Sequence, residues 1–466
     1  MQQRTLNSRL IMAIFATGLM SFAGVVVETA MNITFPVLMR QFHINTGTVQ
    51  WLTTGYLLIV ATFVPISSFL KRRFKTRNLF LTANLLFMSG LIVDSLAPSF
   101  SLLLLGRLIQ GVATGIALPL MFNIILEQAP LDKIGLLMGI GTLVTAVAPA
   151  LGPTYGGLIV SNLQWRDIFM FLIPLLLISL VMGLFTIRQV SETSTAHFDI
   201  LSWVLIAATF VSLILGLSNM SHVTTNPWPV IIGLLIGLIA LIAFAWRSNK
   251  IDHPLINLHV FNQPVFSWHL LAFFLLQITA LGLSFLLPNF LQLVNGKSAL
   301  VAGLVVLPGA ALGALFAPLG GTILDHFGPA RPILVGATCQ FVAVFAMALL
   351  TDHLSAGMIL SWYLLYMFGT GLAFGNIMTT GLKSLSDQQQ SDGNAVYNTV
   401  QQFAGAVGTA TVSAVVALTQ SGATHTFTFR TQLGTQRGFA VLAGLLLINL
   451  FVLAYGLRLN YKQNND

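Results

Sequence analysis

The chain has 466 residues, of which 56% are hydrophobic and only 7% are charged, and its mean hydropathy is +0.87. Soluble domains carry roughly a quarter charged residues, so this composition excludes a water-covered globular surface and indicates a lipid bilayer as the solvent. The formal net charge of +8 does not indicate nucleic-acid binding, because the basic residues lie in short loops and form no single stripe. The single cysteine, Cys339, excludes an intrachain disulfide.

Apolar segments follow one another along the whole chain. Each is close to the ~20 residues that a helix needs to cross a bilayer. We expect about fourteen spans, and an even number places both termini on the same side of the membrane. In chain order the segments are 10–36, 48–70, 79–97, 101–126, 134–160, 167–187, 200–218, 228–246, 266–291, 299–323, 331–350, 355–381, 395–419 and 438–458.

The positions of the basic residues indicate which side the termini occupy. Lys and Arg are enriched in the cytoplasmic loops of membrane proteins. With the N-terminus inside, all but six of the 21 Lys and Arg residues fall on the cytoplasmic side. The exceptions are Arg40, Arg166, Lys297, Arg430 and Arg437 in outer loops and Arg107 within a span. We therefore expect both termini in the cytoplasm and the protein in the inner (cytoplasmic) membrane.

Two polar stretches, 188–199 and 247–265, divide the series of spans. We read them as cytoplasmic linkers on either side of two inserted helices. The sequence thus predicts an all-α polytopic protein with a six-helix bundle in 1–190, a two-helix insert in 191–262 and a second six-helix bundle in 263–466. Two bundles that face each other are a common transporter plan, with a substrate site near the midplane between them.

Glu28 lies well inside the first span. A charged side chain near the bilayer centre costs at least ~2.5–3.5 kcal/mol on insertion scales, so such a group faces a cavity or a partner, or is neutral. Asn32 is four residues further on and shares the same helical face. We interpret Glu28 as a functional residue; the alternative is a carboxyl that joins two helices by hydrogen bonds.

Arg107 lies in the fourth span, and Gln110 and Thr114 extend a polar stripe along this otherwise apolar helix. A guanidinium keeps its proton at working pH, so Arg107 cannot itself carry the proton. It can hold a carboxylate ionised or hydrogen-bond a carbonyl. Asp94, at the outer end of the third span, is one candidate partner; the alternative for Asp94 is an interfacial residue that ends its helix.

The fifth span contains APALGPTYGG at 148–157. Pro149 and Pro153 each remove a backbone donor, and glycines provide a surface for tight helix packing. A pliable interface that rocks and a static close contact both fit this pattern. The glycines are Gly152, Gly156 and Gly157.

Further polar side chains occur within the spans. Amides at these positions either line a cavity or tie helices together, and both interpretations stay open. The cavity candidates are Asn32, Gln110, Thr114, Asn123, Asn289, Gln292, Asn376, Asn398 and Gln401, and further ones are Trp51, Tyr56, Thr380, Asn394 and Gln402.

Motifs for other chemistries are absent from the sequence. It contains no Walker A loop, HExxH motif, CxxC pair or nucleophile elbow. We expect no enzyme activity, catalytic residue, metal, cofactor or ATP drive, and we interpret the lone His269 as structural.

Several of these stretches resemble the major facilitator superfamily, in its fourteen-helix drug:proton antiporter branch (EmrB/QacA-like), over nearly the whole chain. RLIQGVATG resembles the family's fourth-helix motif, which is associated with proton coupling, at Arg107, Gln110, Gly111 and Gly115. GPTYGG resembles the fifth-helix antiporter motif that is specific to exporters, at Gly152, Pro153, Gly156 and Gly157. ETAMNITFP resembles the branch's first-helix motif at Thr29, Asn32 and Pro36.

Two departures from the family pattern matter. The family's loop motif after the second span has glycine, aspartate and glycine where SFLKRRFKTR has Ser68, Arg72 and Lys75. The first-helix acid, Glu28, stands one place later than the usual aspartate. Both features look like the lincomycin-export (LmrB-like) subgroup. The resemblance implies a cytoplasmic gate that comprises Arg73, Arg77, Gly321, Asp325, Gly328 and Arg331.

The resemblance implies a proton-coupled antiporter that exports small hydrophobic or amphipathic compounds by alternating access. Glu28, Arg107 and Asp94 are then the proton-coupling residues, the proton gradient is the energy source, and the protein works as a monomer in the bilayer. A proton-coupled importer and a membrane sensor or scaffold that moves nothing are the alternatives. GPTYGG disfavours the first, and the cost of burying Glu28 and Arg107 disfavours the second.

Overall fold

A computed structural model describes residues 7–130, 134–190, 193, 198–223, 225–251, 254–421 and 425–463. Within these ranges the side chains at positions 68, 126, 134–136, 138–140, 142–146, 150, 221, 222, 325, 387, 388 and 391 are outside the description. The described residues form helices and turns, and no β-strand occurs among them. The predicted all-α fold is confirmed.

Fourteen long helices make up the described chain, and each coincides with one predicted span. They are α1, Ser8–Phe42; α2, Thr46–Ile66; α3, Thr76–Ser95; α4, Phe100–Gln128; α5, Ile134–Asn162; α6, Asp167–Thr186; α7, Ile200–Ser218; α8, Trp228–Ser248; α9, Pro264–Leu293; α10, Ala299–Phe327; α11, Ala330–Leu349; α12, Ala356–Lys383; α13, Asp387–Gln420; and α14, Phe427–Gln463.

The lengths and compositions of these helices are those of membrane-spanning helices. Thirteen of the described helices are long and apolar enough to cross a membrane. α5 is as long as α4, at 29 residues. The largest differences from the predicted bounds are in the last two helices, because α13 begins at Asp387 and α14 at Phe427. The stretches 387–394 and 427–437, which precede the predicted starts, are rich in polar residues, and an apolar pattern marks only the part of a helix that lies in hydrocarbon.

Short polar side chains begin several of these helices. Asn7 accepts a hydrogen bond from the backbone N–H of Leu10 at 2.8 Å, and Ser99 accepts one from Leu102 at 3.4 Å. Ser298 and Ser355 cap α10 and α12 in the same way. Such caps satisfy backbone donors that a helix leaves free in its first turn. α1 ends at Phe42, and the residue that follows it, His43, has a left-handed φ of 51°.

The helices pack in two groups with a pair between them. α1 packs on α4, α5 and α6, while α3 packs on α4 and α2 on α4; we call α1–α6 the N-terminal bundle. α9 packs on α12, α13 and α14, and α12 packs on α10 and α11; we call α9–α14 the C-terminal bundle. α7 and α8 pack on each other. The domain boundaries predicted at 190/191 and 262/263 stay a prediction.

The two bundles meet along two main seams. α5 packs against α10, and α2 packs against α13, while α1 and α9 touch between these seams. Because the helices alternate in direction, both ends of the chain lie on one face, which we call the termini side. The other face, which carries the α1–α2 and α9–α10 turns, is the opposite side.

Candidate functional site

Arg107 is the central residue of the polar site, fully buried on α4. Its Nε donates to the carbonyl oxygen of Leu52 at 3.2 Å, and its Nη1 donates to Gln110 Oε1 at 2.6 Å. Its Cζ lies 4.2 Å from the centroid of the Tyr56 ring, in cation–π contact. A buried guanidinium needs such partners because burial removes its hydration.

Gln110 links Arg107 to Asp94. The Gln110 side chain accepts from Arg107 through Oε1 and donates through Nε2 to Asp94 Oδ2 at 2.7 Å. No direct ion pair within 4.0 Å joins Arg107 to Asp94. The predicted partnership is therefore indirect. An amide can serve as this link because it carries a donor and an acceptor on one planar group.

Glycines allow α3 and α4 to approach closely enough for this link. A Cβ atom on Gly90 would lie 2.9 Å from the Gly106 carbonyl oxygen, and one on Gly106 would overlap Asp94 Oδ1. Asp94 therefore occupies the space that any other residue at position 106 would fill. On another face of α4, Gly115 leaves room for Phe63, since its Cβ would lie 2.6 Å from Phe63 Cβ.

Glu28 lies where α1, α2 and α4 come together. It is 9% exposed and interacts electrostatically with Arg107 and Tyr56. The Tyr56 hydroxyl donates to Thr114 Oγ1 at 3.0 Å and lies 3.3 Å from the Gly24 carbonyl oxygen, one turn before Glu28. The Glu28 carboxylate makes no hydrogen bond to any described residue, so it can exchange a proton without first breaking a hydrogen bond to one of them.

Asn32 joins the two bundles one turn beyond Glu28. Its Oδ1 accepts from Thr53 of α2 at 2.9 Å, and its Nδ2 donates to Ser284 of α9 at 3.0 Å. Asn32 is fully buried. In this conformation it ties helices together; whether it also contacts a substrate stays a prediction.

Other hydrogen bonds between the bundles lie on the opposite side. The hydroxyls of Thr54 and Thr409 are 2.8 Å apart, and Thr46 donates to Gln420 at 2.6 Å. Gln292 Nε2 donates to the Ile33 carbonyl oxygen at 2.9 Å. These contacts hold the bundles together in the half of the molecule away from the termini.

Sequence reasoning missed Thr53, Thr54, Thr409 and Ser284. A threonine or serine in an apolar helix usually bonds to a carbonyl of its own helix, so its presence predicts no partner on another helix. Only their position at the seam shows their role.

The GPTYGG segment of α5 touches both bundles by its backbone. Toward α1, a Cβ atom on Gly152 would lie 2.9 Å from the Val26 carbonyl oxygen, and one on Gly156 would lie 2.8 Å from that of Ala30. Toward α10, a Cβ atom on Gly157 would lie 3.1 Å from Leu300 Cα and would overlap the Ala299 carbonyl oxygen. The spacing of the glycines therefore produces two close contacts on two faces of one helix.

A cavity of about 1640 Å³ opens on the opposite side between the bundles. Trp51 and Gln292, two of the predicted cavity residues, line it. Their contact with a substrate stays a prediction. Its charged lining residues, Arg40 and Lys297, are both basic.

The other cavity candidates are distributed over the two bundles. Gln110 and Thr114 are engaged in the Arg107 site, and Asn289 bonds to the Phe285 carbonyl of its own helix at 2.7 Å. Asn376 donates to the Gly320 carbonyl of α10 at 2.8 Å, and Asn398 donates to that of Asn394 at 2.8 Å. Their roles in substrate binding stay predictions, as do those of the half-buried Asn123 and Gln401.

The predicted gate residues lie on the termini side. Arg73 and Arg77 are exposed, and Gly321 has open space where a Cβ atom would lie. Gly328 ends α10 with a φ of +74°, and Arg331 Cζ lies 5.5 Å from the Phe327 ring centroid. The Asp325 side chain is outside the described residues. The role of these residues as a gate stays a prediction.

Comparison with known proteins identifies the family. The family model described as Major Facilitator Superfamily matches residues 11–409. The chain belongs to this superfamily. It is a multi-pass transporter of the cytoplasmic membrane, not an enzyme.

Its relatives within the superfamily include resistance proteins. The lincomycin resistance protein LmrB of Listeria monocytogenes is 37% identical over 408 residues, which cover 87% of each chain. LmrB of Bacillus subtilis is 37% identical over 86% of this chain and 84% of its own. A multidrug resistance protein B homologue of Mycobacterium tuberculosis is 28% identical over 89% of this chain and 78% of its own.

Solved structures of other superfamily members share the fold. A bacterial homologue of the human lysosomal transporter Spinster, inward-facing and unoccupied, has a TM-score of 0.71 at 15% identity and covers 98% of this chain and 99% of its own. A D-xylose–proton symporter has a TM-score of 0.65 at 14% identity and covers 95% of this chain and 96% of its own. At this identity the likeness concerns the fold alone.

Proposed function

We propose that this transporter exports small hydrophobic or amphipathic compounds, antibiotics among them, in exchange for protons. The observation that carries the proposal is the Glu28 carboxylate, which is buried beside Arg107 and makes no hydrogen bond to the residues that the structure describes. When a carboxyl in such a place gains or loses one proton, the net charge of the whole buried site changes. The antibiotic-resistance relatives support export as the direction and drugs as the cargo.

The proposal places both termini in the cytoplasm. The basic residues of the loops support it, because Lys71, Arg72, Arg73, Lys75 and Arg77 all follow α2 on the termini side. The hydrogen bonds from Thr54 to Thr409 and from Thr46 to Gln420 then join the two bundles near the external face, on which the 1640 Å³ cavity opens.

Proton binding drives the exchange through the Arg107 site. When Glu28 is ionised, it interacts electrostatically with the positive charge of Arg107, and their attraction holds α1 and α4 together. When Glu28 takes up a proton from outside, this attraction is lost, while Gln110 still connects Arg107 to Asp94. Arg107 keeps its charge throughout and balances the acid that has released its proton.

Movement between the two states takes place at α5. Its GPTYGG segment contacts α1 and α10 through backbone atoms, without large side chains between them. Such a contact allows one bundle to rock on the other with little repacking. The mechanism needs no ATP, metal or bound cofactor, since the proton gradient supplies the energy, and it needs one copy of the chain.

The test compares Glu28→Gln with Glu127→Gln in inverted membrane vesicles from an efflux-deficient host. Glu127 is the matched control, because it pairs with Lys71 at 2.8 Å away from the Arg107 site. We expect Glu28→Gln to abolish lincomycin and ethidium transport driven by a proton gradient, and Glu127→Gln to retain it. An uncoupler should abolish transport by the parent protein.

Three outcomes would contradict the proposal. Efflux by Glu28→Gln at the parent rate would remove Glu28 from the coupling step. Transport in right-side-out vesicles toward the inside would indicate an importer. A drug-susceptibility panel with no compound affected, together with no proton release from the purified protein on adding those compounds, would indicate a protein that exports none of them.

A further inference from the structure

The inserted helix α7 lies over one of the two seams between the bundles. It packs on α2 from the N-terminal bundle and on α13 from the C-terminal bundle. Its Ile206, Phe210 and Ile214 are buried. A helix that buries residues against both sides of a seam covers the gap between them.

Aromatic contacts fasten α7 to α2. Trp203 Nε1 donates to the Thr62 carbonyl oxygen at 3.0 Å, and the Trp203 ring meets Phe63 edge-on at 5.7 Å. Just before α7, Phe198 stacks on Phe69 at 4.7 Å. These contacts lie near the termini-side end of α2.

A second aromatic contact fastens α7 to the C-terminal bundle. Phe210 stacks on Phe403 of α13 with ring centroids 4.4 Å apart and an interplanar angle of 21°. Phe403 in turn lies 6.2 Å from Phe274 of α9. The three rings form a continuous apolar stack from α7 into the bundle.

α8 packs against α7 on the side away from the seam. A Cβ atom on Gly233 would lie 2.8 Å from Gly216 Cα, so the two helices touch through their backbones. Arg247 pairs with Asp199 at 2.8 Å across their termini-side ends. The outer face of α8 exposes large apolar side chains, Ile239 and Trp246 among them. Two helices thus separate this seam from the lipid.

Among the helices that the structure describes, none covers the seam between α5 and α10 in this way. The main neighbours of α5 are α1 and α10, and those of α10 are α12 and α5. Its described close contacts lie on the opposite side, where Thr154 donates to the Gly303 carbonyl oxygen at 3.2 Å. Nearer the termini side, Leu315 and Leu319 of α10 are 67% and 51% exposed.

We propose that α7 seals the α2–α13 seam against the bilayer and leaves the α5–α10 seam as the membrane-side path into the space between the bundles. The molecule that uses this path is an apolar compound dissolved in the lipid. The asymmetry follows from the packing of the insert and holds whichever compound is exported. It gives the two inserted helices a role that neither bundle supplies.

The test measures access of lipid acyl chains to each seam. Cys339→Ala removes the one cysteine of the chain. In that background, bimane is attached to Val400→Cys or to Ala314→Cys, and the protein is reconstituted in phosphatidylcholine with brominated acyl chains. Val400 lies one turn from Phe403 on the same face of α13, beneath α7. Ala314 lies three turns from Gly303 toward the termini side. It is on the same face of α10, the face by which Gly303 meets α5.

We expect bromine to quench the probe at position 314 several-fold more than the probe at position 400. Phe210→Ala should raise quenching at 400 and leave 314 unchanged, whereas Ile239→Ala on the lipid face of α8 should change neither. Equal quenching at both positions in the parent protein overturns the proposal, even if Phe210→Ala fails to fold. The assay needs no transport, so its result is independent of whether the protein exports drugs in exchange for protons.

Discussion

Gly303 of α10 lies directly against the backbone of Pro153 in α5. A Cβ atom at Gly303 would be 2.5 Å from the Pro153 carbonyl oxygen and 2.9 Å from Thr154 Cα. The proline carbonyl and the glycine face each other across the seam between the bundles. The GPTYGG segment of α5 therefore meets a small residue on α10, and a side chain at position 303 would not fit this contact.

Gly303→Ala should impair transport more than folding. The new Cβ atom would overlap the Pro153 backbone, so the two helices must move apart, which costs roughly 1–3 kcal/mol. This cost opposes the higher helix propensity of alanine. We expect the efflux rate to fall by about tenfold, since 1.4 kcal/mol corresponds to a factor of ten. Gly444→Ala is the matched control, because a Cβ atom there meets nothing within 4 Å. Vesicle efflux at the parent rate for Gly303→Ala would show that the contact is not essential.

Gln110→Ala should destabilise the protein by isolating the buried Asp94. Asp94 then loses its hydrogen bond from Gln110 Nε2, and an unsatisfied buried acceptor costs about 1–3 kcal/mol. Asp94→Asn keeps the shape and removes the charge. A double-mutant cycle on the unfolding free energy of the detergent-solubilised protein measures their interaction, which we expect to be roughly 0.5–3 kcal/mol. Strictly additive effects would mean that Gln110 does not stabilise Asp94.

Thr409→Val should open the opposite side more often. It removes the 2.8 Å contact with Thr54 and keeps the side-chain shape. The loss of about 1 kcal/mol changes the ratio of the two states roughly five-fold. A membrane-impermeant thiol reagent added from the opposite side should then modify Leu57→Cys, one turn below Thr54, about five-fold faster.

Thr399→Val is the control for this shift. Its hydroxyl donates to the Ala395 carbonyl of its own helix, so no contact between the bundles is lost. Equal modification rates in the Thr409→Val protein and in the parent would show that the threonine pair does not hold the bundles together.

The Asp199–Arg247 pair should stabilise the insert without any pH dependence near neutrality. Partial burial of Asp199 raises its pKa, but hydrogen bonds from Arg247 and Ser202 outweigh this and hold the pKa below its usual range. An acid whose pKa is lowered by folding stabilises the folded state. This stabilisation is complete at pH values above the pKa of the unfolded state, ~4, and is lost as the pH falls through the pKa of the folded state.

The measurement is thermal unfolding of the parent and of Asp199→Asn from pH 6 to pH 8. We expect a constant difference that corresponds to at most about 1 kcal/mol, since the pair is partly exposed. A difference that changes across this range would mean that another group titrates with the pair.

The fold was predictable because the bilayer imposes a simple rule. Each apolar run of about 20 residues becomes a helix, so the positions of α1 to α14 could be read from the sequence. The starts of α13 and α14 could not, because a helix that projects from the membrane is polar there. Asp387 and Phe427 begin turns that an apolar pattern does not mark.

The residues of the candidate site that stand out on a single helix were predictable from the sequence. Glu28 and Arg107 stand out because charges are costly in hydrocarbon, and Gln110 lies on the same face as Arg107. The link from Gln110 to Asp94 was not predictable, since it depends on how closely Gly90 and Gly106 let two helices approach. Hydrogen bonds such as that between Thr54 and Thr409 depend on the arrangement of whole bundles.

α8 packs chiefly on α7 and otherwise faces lipid. Its 21 residues span roughly 30 Å, which matches the hydrocarbon thickness of a typical bilayer. Few of its outward side chains have a partner to fit, so this face is free to vary in sequence as long as it stays apolar. Residues on the Gly233 face do not have that freedom. Among homologues we therefore expect the membrane-facing residues of α8 to vary in sequence and the residues that face α7 to be conserved.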